Sequence, residues 1–270
     1  MNKKGIYFIV IVLFLVAISF IIIKYNNQKE VSENKTYTLL ERKGALAQTN
    51  EWGFTKNQAK NYLLTLEKNP NDIKPMLGLA AIFIQEARVT GNYVYYDMAA
   101  MKYVNKVLKN DSTNFDGLIY KALLYLSQHH FADGLAIAQK AQQINPYNAF
   151  VYGMLVDGNV EMGYYDSAVA NSDRMVSIRP DLRSYSRISY LREIYGDYPG
   201  AISAMKMAVD AGGPGDESTE WTRVQLGNLY EKTGDLKNAE MQYTIALQER
   251  PGYPYAFAGM GRIAMANKDY

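Results

Sequence analysis

The chain has 270 residues, 48% of them apolar, enough to bury a substantial core, and its 23 tyrosines far outnumber 9 phenylalanines and 2 tryptophans. It has no cysteine, which excludes disulfides, thiolate metal sites, a cysteine nucleophile and a lipid-modified cysteine. The formal charge of +2 comes from the first 24 residues, where Lys3, Lys4 and Lys24 meet no acid; the rest is at −1, without the broad positive surface that nucleic-acid binding requires.

Ile6 to Ile23 runs without a charge or a proline, flanked by Lys3-Lys4 and Lys24. At ~1.5 Å per residue, such a helix is about long enough for a hydrocarbon core of ~30 Å. Residues 1–24 are therefore expected to be an N-terminal transmembrane anchor. A cleaved signal peptide is the competing reading. Its one small-x-small candidate is Ala17-Ile18-Ser19, and Phe20-Ile21-Ile22-Ile23 carries the apolar run past it. The short, basic head points to retention inside, with the body outside the inner face of a bacterial inner membrane, periplasmic where there are two membranes.

Residues 25–54 are polar and read as a linker, with a short helix at Leu39-Leu40-Glu41-Arg42-Lys43. Residues 55–70 read as a lone helix, a half-repeat, opened by the capping-box spacing of Thr55 and Gln58 and ended by Asn69-Pro70. Residues 71–114 form an expanded repeat around Leu77-Gly78. Its extra residues near Arg88–Tyr96 predict longer helices or a protruding turn. Repeats follow at 115–148, 149–181, 182–219 and 220–253, with a truncated one at 254–270. Gly163, Gly196 and Gly234 recur at one point of the phrase, and Pro146 and Pro180 lie 34 residues apart.

The clearest copy reads Leu226-Gly227-Asn228-Leu229-Tyr230 through Gly234-Asp235-Leu236, then Ala239, Tyr243, Ala246-Leu247 and Pro251. It resembles the tetratricopeptide repeat, in which two antiparallel helices recur every ~34 residues. The resemblance covers residues from about 71 to 270. Leu182–Arg187 and Tyr190–Glu193 are similar to a group of bacterial tetratricopeptide proteins with no assigned reaction. It implies an all-α, right-handed α-solenoid behind the transmembrane helix, making protein–protein contacts through its concave face. Small residues let helix axes approach, and a turn glycine takes a left-handed conformation at little cost.

No catalytic constellation stands out. The two histidines, His129-His130, are adjacent and point about 100° apart on a helix or turn, so they are expected to bind no metal. Gly212-Gly213-Pro214-Gly215 follows no strand and precedes no Gly-Lys-Ser/Thr, and reads as a flexible hinge rather than a phosphate loop. The second residue of each first helix is expected to face the groove: Asp116, Phe150, Arg183, Trp221 and Tyr255. Arg187, Tyr190 and Asn228 line the same face. Aromatics and arginine are enriched at binding hot spots, so Phe150, Arg183, Arg187, Tyr190, Trp221, Asn228 and Tyr255 are the expected peptide-binding residues. Against this, Arg183 and Arg187 could form a solvated face or pair with acids of a neighbouring helix. The resemblance brings in the carboxylate clamp of chaperone-binding members. Arg183 and Arg187 match its last two places in spacing, whereas Ile119, Leu123 and Met154 stand at its earlier places and do not match, so a clamp of that kind is not expected.

The expected protein is a non-enzymatic adaptor or scaffold with a protein or peptide partner, no cofactor, no metal and no nucleic acid. The alternatives are a subunit of a secretion or envelope-assembly complex, or the regulatory part of a longer enzyme truncated at residue 270.

Overall fold

The computed structural model of the protein describes residues 12–22, 24 and 36–268. The chain divides into two compact units, Met1–Leu39 and Leu40–Tyr270. In the first, residues 12–22 are helical, and large apolar side chains such as Leu13, Phe14, Phe20 and Ile21 are exposed. Among the described residues no helix is long and apolar enough to cross a membrane. Residues 1–11 and 23 of the expected anchor lie outside the described residues, as do residues 25–35 of the expected linker and the last two positions, 269–270.

The second unit is all helix and loop among its described residues. Its helices are α1 (Asn50–Lys68), α2 (Ile73–Thr90), α3 (Tyr93–Asn110), α4 (Phe115–Ser127), α5 (Phe131–Ile144), α6 (Ala149–Glu161), α7 (Tyr165–Ile178), α8 (Leu182–Ile194), α9 (Tyr198–Asp210), α10 (Glu217–Lys232), α11 (Leu236–Glu249) and α12 (Pro254–Asn267). Consecutive helices pack in pairs, and each pair packs on the next. Their starts follow local chemistry. Asn114, Asn148, Asp181, Asp197 and Asp235 each accept an orphan backbone N–H of the first turn, and Asp181 completes a capping box with Ser184. The turns within pairs carry Gly163, Gly196 and Gly234 at φ of 77°, 77° and 80°.

Small residues set the spacing. Ala138, Ala168, Ala201 and Ala239 are fully buried. A Cβ on Gly227 would lie 2.4 Å from the Tyr243 ring, and one on Gly259 would lie 2.7 Å from the same ring. Tyr243 of α11 is thus clasped between α10 and α12. On α12, Gly261 occupies the place that Gly227 has on α10, and nothing lies within 4 Å of its would-be Cβ. Phe257 and Met265 beside it are exposed, so among the described residues nothing packs on the outer face of α12.

Several boundaries differ from the sequence reading. The first helix begins at Asn50, capped by Thr49 accepting from the Trp52 N–H, not at the Thr55–Gln58 box. The expected short helix at Leu39–Lys43 does not form: these residues have no regular secondary structure and lead into a 3-10 turn at Gly44–Gln48. Residues 40–54 are therefore packed structure rather than linker. The Tyr96 hydroxyl accepts from the Leu40 N–H at 3.0 Å, and Arg42 and Trp52 are buried. The expanded repeat resolves into longer helices: α2 and α3 have 18 residues each, against 13 and 14 for α6 and α7. The Gly212–Gly215 segment is tied rather than a flexible hinge. The Gly215 N–H donates to Glu220 and its carbonyl accepts from Arg250, both at 3.0 Å.

The two ends of the helical array meet. Arg42 Nε donates to Glu86 Oε2 at 3.0 Å, and its Nη2 reaches Glu86 Oε1 at 2.5 Å and Glu51 Oε1 at 2.8 Å. Arg250, 199 residues along the chain from Glu51, donates to Glu51 Oε2 at 2.8 Å. Burial alone would push the Glu51 carboxyl up, but hydrogen bonds from Arg250 and Arg42 outweigh it and hold the group below its ordinary range. Along the same seam Arg88 pairs with Glu217 at 3.0 Å and lies over the Trp221 ring, while the Tyr93 and Tyr255 hydroxyls meet at 3.5 Å. The array therefore closes on itself, α1–α3 against α10–α12.

Candidate functional site

Closure turns the concave face into a cavity of about 1310 Å³. Its wall is built mainly from the first helix of each pair, because those helices line the inside while the second helices cover the outside. All seven residues expected at the groove line this cavity: Phe150, Arg183, Arg187, Tyr190, Trp221, Asn228 and Tyr255. So do Asp116 and the apolar Ile119, Leu123 and Met154.

Their side chains differ in what they are free to do. Arg187 is committed to its own wall: its guanidinium makes two bonds to the Asp157 carboxylate, at 2.8 and 2.6 Å, and one to the Gly153 carbonyl at 3.2 Å. Asn228 is committed as well. Its amide oxygen accepts from Tyr243 at 2.8 Å and Arg262 at 2.6 Å, and its amide nitrogen donates to Gln225 at 3.2 Å. Tyr255 belongs to the seam, packed edge-on to Tyr253 with ring centroids 5.3 Å apart. Trp221 stands beneath Arg88, with the guanidinium 5.9 Å from its ring.

Arg183 is the exception. Its guanidinium lies 5.0 Å over the Phe150 ring, and its side chain has no hydrogen-bond or carboxylate partner among the described residues. The surrounding wall removes part of its water and pulls its affinity for the proton down; Asp181 opposes this, while Arg187, Arg179 and Arg88 add to it. The other cations of the wall are paired: Arg88 with Glu217, Arg187 with Asp157, Lys232 with Glu193 and Arg262 with Glu231. An unpaired cation stacked on an aromatic ring, inside a wall whose other cations are neutralised, is a group free to meet a ligand.

Carboxylates and phenols complete the lining. The Tyr190 phenol, half-exposed on α8, is pushed up by its partial loss of water and then by the carboxylates of Glu161, Glu193 and Asp157. The Tyr120 phenol is pushed up by burial and then by Asp116. Asp97, buried and accepting from the Ser127 hydroxyl at 2.6 Å, is raised by the same loss of water. Among the described residues no group of three or more His, Asp or Glu is placed to hold a metal. His129 and His130 sit on the turn between α4 and α5, off the cavity.

Sequence reasoning missed the seam. Arg42, Glu51, Glu86, Arg88, Glu217 and Arg250 carry it, and no periodic pattern marks them. The one signal was the extra length of the expanded repeat, since both Glu86 and Arg88 lie on the long C-terminal half of α2.

No family model and no curated protein sequence matches the chain. Solved structures do. A thermophilic TPR protein from Thermus thermophilus is 20% identical, with a TM-score of 0.62 over 73% of this chain and 100% of its own. A tetratricopeptide repeat protein from Parabacteroides merdae is 14% identical, with a TM-score of 0.65 over 80% of this chain and 79% of its own. The match to the APC/C hetero-tetramer Cut9–Hcn1 has the same TM-score at 13% identity, over 80% of this chain and 41% of that one. The fold is a tetratricopeptide-repeat solenoid.

Proposed function

We propose that the chain is a non-catalytic adaptor that binds a protein or peptide segment in the central cavity. The carrying observation is Arg183, unpaired over Phe150 in a cavity large enough for several side chains. Trp221 and Tyr190 supply the apolar and aromatic contact that interface anchors need. The reading calls on Phe150, Arg183, Tyr190 and Trp221 directly, whereas Arg187, Asn228 and Tyr255 shape the wall through bonds within it. The test is the double variant Arg183→Ala with Trp221→Ala. Removing such anchors should cost ~2 kcal/mol or more of binding, about thirty-fold in affinity. Photo-crosslinking from the cavity in whole cells identifies the partner, and the variant should lose that adduct while keeping its melting temperature. Retained crosslinking would remove the cavity from consideration.

The same proposal places the chain on a bacterial inner membrane through Ile6–Ile23, with the repeats outside the inner face. Its support is the charge-free run and the exposed apolar side chains of residues 12–22. The chain should resist carbonate and high-salt extraction. A mature N-terminus beginning at Phe20 would establish cleavage instead.

A further inference from the structure

An ionic ladder joins the first helices of successive pairs, and one rung of it is missing. Asp157 of α6 pairs with Arg187 of α8, Glu193 of α8 with Lys232 of α10, and Glu231 of α10 with Arg262 of α12. Each rung runs from an acid on one helix to a base on the next. Glu161 stands one turn beyond Asp157 on α6 and, like it, lines the cavity. One turn beyond Arg187 on α8 come Tyr190 and Leu191. Leu191 is buried in the core, so Tyr190 takes the facing place. Its phenol is pushed up first by partial loss of water and next by Glu161. A phenol supplies no positive charge, and Glu161 is left without an ion pair or hydrogen bond among the described residues. It is also the last residue of α6, the negative end of a helix, where a carboxylate is disfavoured until a cation approaches. Asp116, Asp166 and Asp216 are unpaired as well, but they stand at the starts of α4, α7 and α10, where the positive helix ends compensate them. Arg183 is two turns and ~10 Å from Tyr190 along α8, too far to fill the rung.

The missing rung opens onto an exposed aromatic edge. Tyr165, the first residue of α7 and four residues past Glu161, meets Tyr195 at the end of α8, with ring centroids 6.5 Å apart and the rings edge to face. That contact joins the α6–α7 turn to the α8–α9 turn. Tyr190 and Ile194 lie one turn apart on α8, Met162 and Tyr164 lie on the turn after Glu161, and all six of these large side chains are exposed. A single exposed tyrosine is ordinary, but a contiguous group beside an uncompensated carboxylate marks a contact surface. A long basic side chain fits both features, with its aliphatic stem on the rings and its charged head on the carboxylate. We propose that this edge docks a basic segment of a protein partner, an arginine or lysine of which completes the rung at Glu161 while its stem packs on Tyr165, Tyr190 and Tyr195. This deepens the reading of the cavity as a protein-binding site and rests on it, since Glu161 and Tyr190 also line the cavity. Charge complementarity of this kind selects partners more than it adds raw affinity.

The test uses the full chain in detergent micelles and fluorescence anisotropy with labelled dodecapeptides of serine and leucine, blocked at both ends so that no chain-end charge contributes. One carries a central arginine. The second has citrulline there, which keeps the shape and removes the charge, and the third has glutamate. The arginine peptide should bind, citrulline should weaken it five-fold or more, and glutamate should weaken it further. Glu161→Gln should erase the preference for arginine over citrulline, and Glu161→Lys should turn it into a preference for glutamate. Glu161 is exposed, so both variants should melt as the parent does. Tyr165→Ser with Tyr195→Ser should weaken the arginine and citrulline peptides alike. Equal binding of the three peptides overturns the basic segment, and its loss in the Arg183→Ala, Trp221→Ala variant would still leave the cavity a peptide site. Binding by none overturns both readings. An arginine preference that survives Glu161→Gln would overturn the placement at this edge.

Discussion

The middle of the solenoid and its seam are held by different physics. From α4 to α9 the contacts are mainly steric and repeated, with Arg187–Asp157 an ionic link across the cavity wall. Alanines and glycines let axes approach, turn glycines reverse the chain, and cap residues close each helix start. At the seam the contacts are ionic and occur once. Arg42 and Glu86 have fully buried side chains, and Arg250 is nearly so. A buried ion pair adds little over a well-packed apolar pair, but losing one partner leaves the other charge buried without compensation. The middle should therefore tolerate graded change, while the seam should fail abruptly.

The largest effect follows from that asymmetry. Arg42→Ala strands Glu86 and removes one of the two cations on Glu51, and should cost ~3–5 kcal/mol. Thermal and denaturant unfolding measure it. A loss below ~1 kcal/mol would mean that the seam opens freely. Arg42→Met with Glu86→Leu should recover most of the stability, since the space is refilled without a charge.

In the middle, Ala201→Leu adds bulk where α9 packs without a gap, since Ala201 is fully buried. Overpacking should cost ~1–3 kcal/mol. The same unfolding curves should show this loss with no change at the seam, read from Glu51–Arg250 proximity by paired labels. An unchanged melting curve would move the register of the repeat.

The same contrast decides what the sequence made legible. Gly163, Gly196, Gly234 and the buried alanines recur at fixed spacing because each does one job in every copy, so the helix pairs and the cavity-facing positions could be read. Arg42, Glu51 and Arg250 occur once, in a polar stretch and at a helix end, and their partners are set by the curvature summed over the array. No local pattern encodes that sum. For the same reason the lining of the cavity could be named, but not which cations in it are paired. Arg183 and Arg187 sit one turn apart on α8 with the same side chain, and only the carboxylate of Asp157 on the neighbouring helix separates their roles.

Acid should open the seam before it touches the middle. Glu51 is held below its ordinary value of 4.5 in the folded chain. Its contribution is therefore fully present above that value and is lost as pH falls through the lower folded one. Melting temperature should drop through this acid window in the parent and less steeply in Glu51→Gln, which has no carboxyl to protonate there. Parallel profiles would show that the Glu51 pairing adds nothing.

The smallest effect lies in the one irregular turn of the middle. His129 stands where Gly163, Gly196 and Gly234 stand in later pairs, and it has φ of 61°. Its N–H donates to the Leu126 carbonyl at 3.1 Å, much as the Gly163 N–H does to Val160 at 3.0 Å, so the turn has the same form with a different residue. A side chain in this left-handed conformation costs ~1–2 kcal/mol, because its Cβ crowds the following carbonyl. Glycine removes that cost but makes the unfolded chain freer, which takes back ~0.4–1 kcal/mol. The His129 ring also packs edge-on to Phe131, with centroids 5.4 Å apart, and that contact would go. His129→Gly should therefore raise stability by no more than ~1 kcal/mol, whereas Gly163→His, at φ of 77°, should lower it by about as much or more. Opposite signs in the two variants would show that backbone strain governs the turn. A loss in both would mean that the ring contact with Phe131 outweighs the strain at residue 129.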